Sequence, residues 1–428
     1  MNPPRTPRVL PALGPDEHFP MPPWSDTVLG DGLRVVAVKA PSVPLVEVRL
    51  RTPLPTGPNH PPALREVLAR ALLHGRAPAW PGAALTAGLD STGLTLSGTT
   101  SAAGLLPLLE SLATALTPRR YDDDVCRAAV RRVAAHSALT RVQPATHARE
   151  ALLAHAYGDA FHRLLPSDED LAAVTAGRLT ALHSQLMGTE GATLVLVGDL
   201  APEAAIRNLP AELSQWPSPA HADTSPARTP TITGKGIASV PRPGAVQSQI
   251  LLAAPAFGQS DPRFPALSLA GCALGGSFSS RLALGIRETR GIAYRTSATL
   301  DEHRGNTFLL VQADTATRAT GAALREIQTE LGRFAADPPS STEIHAAREF
   351  IIGATAAGAA SQAGMAEFLL TSMASGFGPE WLHGHVAALR DVTRTDVVNV
   401  AQEFYAPARF TGVVIGAEQS ADLAASCG

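Results

Sequence analysis

The fold is decided by a stretch of sequence that occurs twice, VTAGRLTALHSQLMGTEGATLVLVGDL (Val174–Leu200). An offset of 218 positions places it without a gap on VTRTDVVNVAQEFYAPARFTGVVIGAE (Val392–Glu418). Apolar residues recur at i, i+3 and i+7 in both copies, as in an amphipathic helix. Each copy then contains a short apolar run, Val195–Gly198 or Val413–Gly416. Both copies therefore predict a helix, a short loop, a buried strand and a glycine turn.

The same offset also aligns three positions of an earlier helix. The aligned pairs are Ala148 with Ala366, Leu152 with Leu370, and Gly158 with Gly376. One offset that holds over two helices and a strand indicates a tandem duplication, with copies of about 200 residues that are ordinary domain size. We predict a Pro-rich N-terminal arm (1–23), a first domain (24–215), a linker rich in Pro, Ser and Thr (216–236) and a second domain (237–428).

The order of patterns within each copy predicts the fold class. In the first copy, a hairpin signal at Gly30–Gly32 and an alternating strand at Leu45–Pro53 precede helical patterns at Ala63–Gly75, Leu105–Leu116 and Asp122–Arg141. Strands next to strands, with helices grouped between hairpins, favour α+β over α/β architecture. We expect two tandem homologous α+β domains, each a mainly antiparallel sheet with helices packed on one face.

Composition restricts the function classes. The chain has 428 residues, 45% hydrophobic and 17% charged, which is enough apolar surface for more than one core. Its 35 basic and 38 acidic residues leave a net charge of −3, so the sequence predicts neither a nucleic-acid nor a membrane partner. Three dispersed cysteines and the lack of an apolar leader favour a cytoplasmic location.

The most distinctive segment is ALGGSFSSRLALGIRETRGIAYRTSATL (Ala273–Leu300). It lacks the Gly-Lys-Ser/Thr of a phosphate loop and the GxSxG of a serine nucleophile, although Ser277 or Ser279 can cap the helix that follows the glycines. Arg287 and Tyr294 remain, on either side of a glycine. By themselves they are more typical of a solvated helix arginine and a core tyrosine than of functional residues.

This segment resembles the second-domain signature of the pitrilysin/insulinase-type zinc metallopeptidases, the group that contains mitochondrial processing peptidase. The family pattern is LGGGxSSRLFxxIREkrGLaYxvxs, and the likeness extends from the Gly30–Gly32 hairpin through the VGD at Asp199 and the second half. The family is built from tandem homologous α+β domains. Its Arg and Tyr hold backbone carbonyls of the substrate, and the resemblance implies this substrate-binding role for Arg287 and Tyr294.

The family's metal motif, in contrast, is missing. In relatives HxxEH lies on a first-domain helix just before a glycine, where two His bind zinc and Glu activates water. When Gly75 is aligned with that glycine, Glu66 stands at the first His, Ala69 at the Glu and Arg70 at the second His. The third zinc ligand of the family is a separate Glu, and its position falls near Ala135, beside His136. Glu66 and Arg70 have the i,i+4 spacing of an ion pair, which we expect to occupy the vacated site.

Other histidines do not replace this site. His147 and Glu150 imitate the start of HxxEH, but Ala151 stands where the second His is needed. His383 and His385 are two residues apart, so they point to different sides of a helix. We assign no metal to the chain, and we interpret His60 and His74 as loop or helix-surface residues.

The resemblance implies a zinc-less subunit of a heterodimeric processing-type peptidase. A zinc-bearing homologous subunit would hydrolyse peptides, while Arg287 and Tyr294 bind the substrate from this chain. The strand Gly93–Gly98 corresponds to the edge strand to which substrates add in the family, although it is equally typical of an ordinary edge strand. Two alternatives stay open: a structural or assembly subunit, and a self-associating peptide-binding protein with no peptidase role.

Overall fold

The chain builds two β-sheets, seen in a computed structural model. The structure describes residues 21–30, 32–54, 61–75, 80–90, 92–158, 164–186, 188–214, 216, 231–303 and 305–416. Most of the predicted N-terminal arm, His60, linker residues 217–230 and the C-terminal residues 417–428 lie outside this description.

The first sheet has six strands in the order β1-β2-β6-β3-β5-β4. Its strands are β1 (Trp24–Val28), β2 (Arg34–Lys39), β3 (Leu45–Pro53), β4 (Ala84–Leu89), β5 (Gly93–Ser101) and β6 (Thr193–Gly198). β2 and β6 pair in parallel, and all other neighbours are antiparallel. β6 is buried along its whole length, as its apolar sequence predicts.

The second sheet repeats this topology. Its strands are β7 (Ile237–Pro241), β8 (Gln247–Pro255), β9 (Ala293–His303), β10 (Asn306–Ala316) and β11 (Thr411–Gly416). Their order, β7-β11-β8-β10-β9, matches β2-β6-β3-β5-β4, and again the first pair is parallel. This correspondence confirms the predicted class, two homologous α+β units with mainly antiparallel sheets.

Helices account for most of the remaining described chain. They are α1 (Pro62–Leu72), α2 (Leu105–Leu116), α3 (Asp123–Arg141), α4 (Pro144–Tyr157), α5 (Asp168–Ala172), α6 (Ala176–Leu186), α7 (Pro202–Arg207), α8 (Ala211–Ser214), α9 (Phe264–Gly271), α10 (Thr320–Ala336), α11 (Ser341–Ala359), α12 (Gln362–Ala374), α13 (Trp381–Asp391) and α14 (Arg394–Phe404). The repeat offset relates α6 to α14 and β6 to β11 residue for residue. No helix among the described residues is long and apolar enough to cross a membrane.

One face of each sheet packs on helices of its own half. Val46, Val48 and Leu50 of β3 face α1, α2 and α6 in the first core. In the second core, Leu309 and Val311 of β10 contact the apolar faces of α9, α10 and α14. These faces follow the period-2 strand and period-3.6 helix patterns.

The opposite face of each sheet is covered by a helix from the other half. Leu369 and Leu370 of α12 pack on valines of β2 and β6 in the first sheet. Ala148 and Leu152 of α4 pack on β8, β10 and β11 in the second sheet. Because α4 and α12 are equivalent under the repeat offset, the two halves exchange one helix each. The sequence predicts helices on one face, and this exchanged helix adds a layer on the other.

Charged pairs accompany the exchange. Arg149 of α4 forms an ion pair with Asp301 of β9, and Glu367 of α12 lies 3.8 Å from Arg49 of β3. Arg149 and Glu367 occupy equivalent repeat positions with opposite charge. Each exchanged helix is thus tied to the foreign sheet by both apolar and charged contacts.

Candidate substrate-binding site and vacated metal position

The glycine-rich segment begins where α9 ends. The helix widens into a π-helical turn at Cys272–Gly276, in which Gly275 lies against β9: a Cβ there would be 2.4 Å from the amide nitrogen of Ala298. Only glycine allows this approach. Neither Ser277 nor Ser279 caps the next helical segment as predicted: no side-chain hydrogen bond caps its N-terminus, and the two hydroxyl oxygens lie 3.2 Å apart, within hydrogen-bond distance of each other.

Arg287 lies on a second π-helical segment, Ala283–Thr289. Such segments are rare and occur often at functional sites. The guanidinium carbon of Arg287 is 5.6 Å from the ring centroid of Phe278, and its Nε is 3.3 Å from a carboxylate oxygen of Glu288. The guanidinium is therefore held at the surface while its remaining N–H groups stay available to a ligand.

Tyr294 is the second residue of the outermost strand, β9, and it is 81% exposed. This exposure excludes the core tyrosine that the sequence left open. A short turn connects it to the helical segment of Arg287, and the amide of Ile292 donates to the carbonyl of Ile286 at 3.1 Å. The structure thus places Arg287 and Tyr294 at the surface of two adjoining elements.

Arg281 fastens the glycine-rich segment to the helices behind it. Its guanidinium donates twice to Glu343, at 2.6 and 3.1 Å, and once to the carbonyl of Asp337 at 2.8 Å. Glu343 also accepts from Ser340 in the capping box of α11. The Arg281 hydrogen bonds, ahead of those from Ser340, lower the pKa of Glu343 from 4.5 to about 2. Sequence spacing could not predict this role of Arg281, because Glu343 lies 62 residues further along the chain.

The depressed pKa gives a pH-dependent prediction. Glu343→Gln should lower the free energy of unfolding by about 1 kcal/mol at pH 7. This is less than a fully buried charge-assisted hydrogen bond contributes, because Arg281 and Glu343 are partly exposed. Because the pKa is lower in the folded state, the ionised carboxylate contributes fully above pH 4.5 and loses its contribution as the pH falls to about 2. Denaturant titrations from pH 7 to pH 2 should show wild type and variant converging; a constant difference would contradict the prediction.

The three family metal positions lie on α1 and do not fit zinc. Glu66 and Arg70 are half-buried and Ala69 is buried, which leaves a carboxylate, a methyl group and a guanidinium. Burial raises the pKa of Glu66, and the charges of Arg70 and His136 oppose that rise. The predicted ion pair is wrong: Arg70 attracts the Glu66 carboxylate electrostatically, but no salt bridge joins the two among the described residues. Within the same part of the chain, no group of three His, Cys, Asp or Glu side chains could hold a metal ion.

The remaining histidine clusters have ordinary surroundings. His147 is exposed on α4, and Glu150 accepts a hydrogen bond from the amide of Leu164 at 3.0 Å. The ring of His385 stacks on Trp381 with centroids 4.5 Å apart, and burial lowers its pKa to about 4. The same ring lies 6.0 Å from that of Phe264, so it packs α13 against α9.

The predicted edge strand at Gly93–Gly98 is wrong. These residues belong to β5, which is paired on both sides, with β3 and β4. The hairpin turn at Asp90 adds β4 beyond it: the Asp90 carboxylate accepts from the amides of Thr92 and Gly93 at 2.7 and 2.6 Å. The free edge on this side of the sheet is therefore β4.

Comparisons with known proteins agree with this geometry. Residues 173–350, which include Arg287 and Tyr294, match the family model of the peptidase M16 inactive domain. No curated protein gives a significant match.

Solved structures show the same fold. A peptidase M16 inactive domain from Pseudomonas fluorescens is 19% identical with a TM-score of 0.80, covering 92% of this chain and 98% of that chain. A protease from Helicobacter pylori is 16% identical with a TM-score of 0.81, covering 92% and 100%. A chain of complex III2 from Candida albicans is 14% identical with a TM-score of 0.77, covering 93% and 97%.

The two duplicated α+β halves and the matched second-half signature define an M16-type peptidase fold. The family match covers residues 173–350 of the 428, the likeness in fold covers nearly the whole chain, and the sequence contains no HxxEH.

Proposed function

We propose that the chain is the zinc-less subunit of a two-subunit peptidase and contributes Arg287 and Tyr294 to the active site of a zinc-bearing partner. The observation that carries the proposal is that both side chains reach solvent from a braced turn, in a chain whose metal positions hold Glu66, Ala69 and Arg70. A purely structural surface would not need a solvent-facing guanidinium and a solvent-facing phenol on two adjoining elements.

The chemistry of the pair suits a peptide backbone. A guanidinium stays charged at every physiological pH, and it can donate to a carbonyl oxygen of an extended peptide. The phenol of Tyr294 can donate to a neighbouring carbonyl or to the oxyanion that forms on attack. The partner's zinc would supply the activated water, and this chain would bind and orient the peptide.

The two alternatives give different complexes. The likeness to a chain of complex III2 favours a structural subunit, and the free surface pair alone is compatible with a peptide-binding protein. Affinity purification from the native organism separates the three readings. An HxxEH-bearing homologue among the captured proteins supports the proposal, respiratory subunits support the structural role, and the chain by itself supports peptide binding. We place the complex in the cytoplasm, where the buried thiols Cys126 and Cys272 would stay reduced.

We predict that the isolated chain binds no stoichiometric zinc and cleaves no peptide. Arg70 would repel a metal ion, and Ala69→Glu should restore no activity because a general base without a metal has no activated water to use. Metal analysis after dialysis against zinc checks the first point. One tightly bound zinc per chain, lost on changing His60, His74 or His136, would overturn the interpretation of α1.

A further inference from the structure

The relative placement of Arg287 and Tyr294 depends on the turn between their elements. Gly291, at the centre of this turn, has φ +62°, a conformation that favours glycine. Next to it, the carbonyl of Ile292 accepts a hydrogen bond from the hydroxyl of Thr315 on β10 at 2.5 Å. The turn is therefore anchored to the sheet on its β9 side.

A charged contact anchors the other side of the turn. Arg290, directly before Gly291, places Nη2 3.0 Å from Oε1 of Glu326 on α10. The Glu326 side chain is only 13% exposed, whereas that of Arg290 is half-exposed. A mostly buried carboxylate is less mobile than an exposed one. The ion pair with Glu326 therefore fixes the Arg290 side of the turn to α10.

Glu326 has a second cationic neighbour that provides a comparison. Arg333, also on α10, places Nη1 3.8 Å from the same carboxylate oxygen and 3.6 Å from Glu330. Arg333 is somewhat more exposed than Arg290 and contacts the same carboxylate, but it does not belong to the turn. Loss of Arg290 would therefore loosen the turn, whereas loss of Arg333 would remove only a contact within α10.

We propose that Arg290 and Glu326 are positioning residues that set the separation and orientation of Arg287 and Tyr294. The inference rests on the proposed substrate-binding role of that pair. Neither residue needs to touch the peptide. Since misplacement of binding groups by about 1 Å can cost on the order of 100-fold in rate, loosening the turn should lower turnover by about 10- to 100-fold.

The test compares Arg290→Gln with the matched control Arg333→Gln. Hydrogen exchange of the amides from Ile286 to Tyr294, measured on the isolated chain, should accelerate in Arg290→Gln and in Glu326→Gln but not in the control. Arg290→Lys keeps the charge and should restore much of the protection. Melting temperatures of Arg290→Gln and Arg333→Gln should agree, which separates positioning from general stability.

Turnover of an internally quenched, unstructured peptide by the complex with its zinc-bearing partner gives the functional readout. Arg290→Gln should lower kcat/KM, and Arg333→Gln should leave it unchanged. Equal exchange and equal kinetics in these two variants, with Arg287→Ala still impaired, would overturn the positioning role alone. If Arg287→Ala and Tyr294→Phe instead left kcat/KM of the complex unchanged, the proposed function would be overturned, and the positioning role with it.

Discussion

Tyr294→Phe should lower peptide turnover by the two-subunit complex by about 100- to 1000-fold, the usual cost of one lost oxyanion donor. The substitution removes a single oxygen from a side chain that is 81% exposed and packs against no core. Folding, assembly with the partner and the partner's zinc content should therefore stay as in wild type. Steady-state kinetics measures the turnover. Size-exclusion chromatography and metal analysis of the same sample measure the assembly and the zinc content.

Arg287→Ala should weaken peptide binding as well as turnover, because a charge-assisted hydrogen bond to the peptide backbone disappears. Arg295→Ala is the matched control. Arg295 directly follows Tyr294 on β9 and is half-exposed, but its guanidinium already pairs with Asp314 at 3.2 Å and donates to Gln312 at 2.9 Å. If the Tyr294 and Arg287 variants were fully active in an intact complex, the two residues would not bind substrate, and the chain would serve only as a scaffold.

Leu369→Ala should cost about 2–5 kcal/mol of unfolding free energy and destabilise both halves together. Leu369 is fully buried, and α12 carries it from the second half onto Val36 and Val195 of the first sheet. A cavity at this position loosens a contact that both halves share. Chemical denaturation, with hydrogen exchange of β2 and β6 as the local probe, should show one cooperative transition at lower denaturant.

Leu139→Ala is the control for this substitution. Leu139 also lies on a helix, α3, but it is 70% exposed, so its truncation should change stability by no more than about 0.5 kcal/mol. Two separate transitions in Leu369→Ala, with β2 and β6 protected as in wild type, would contradict the interlocking of the halves.

The repeat was the most reliable guide to the fold. One offset relates α6 and β6 to α14 and β11, because both copies keep the apolar positions of a helix and a buried strand. The exchange of α4 and α12 could not be predicted in this way. Periodicity marks Ala148 and Leu152 as an apolar face, but it does not say which sheet that face covers.

The edge-strand prediction failed for a local reason. β4 has the sequence ALTAGL, short and built mainly from small residues, and alternation in such a run is too weak to indicate a strand. The prediction that β5 is the edge strand came from the family resemblance, and nothing in the β4 sequence indicated a further strand. At the candidate site, Arg287 and Tyr294 came from the family resemblance, whereas the contact between Arg290 and Glu326 joins residues distant in sequence and required the structure.

A titration measures whether this chain completes the active site of a zinc-bearing partner. The chain is added in increasing amounts to a fixed concentration of the co-purified HxxEH subunit, and cleavage of a quenched peptide is followed. We predict that activity rises to saturation at one chain per partner with wild type and stays near baseline with the Arg287→Ala, Tyr294→Phe double variant, although both bind the partner equally. Equal activation by both proteins, or none by wild type, would contradict the claim.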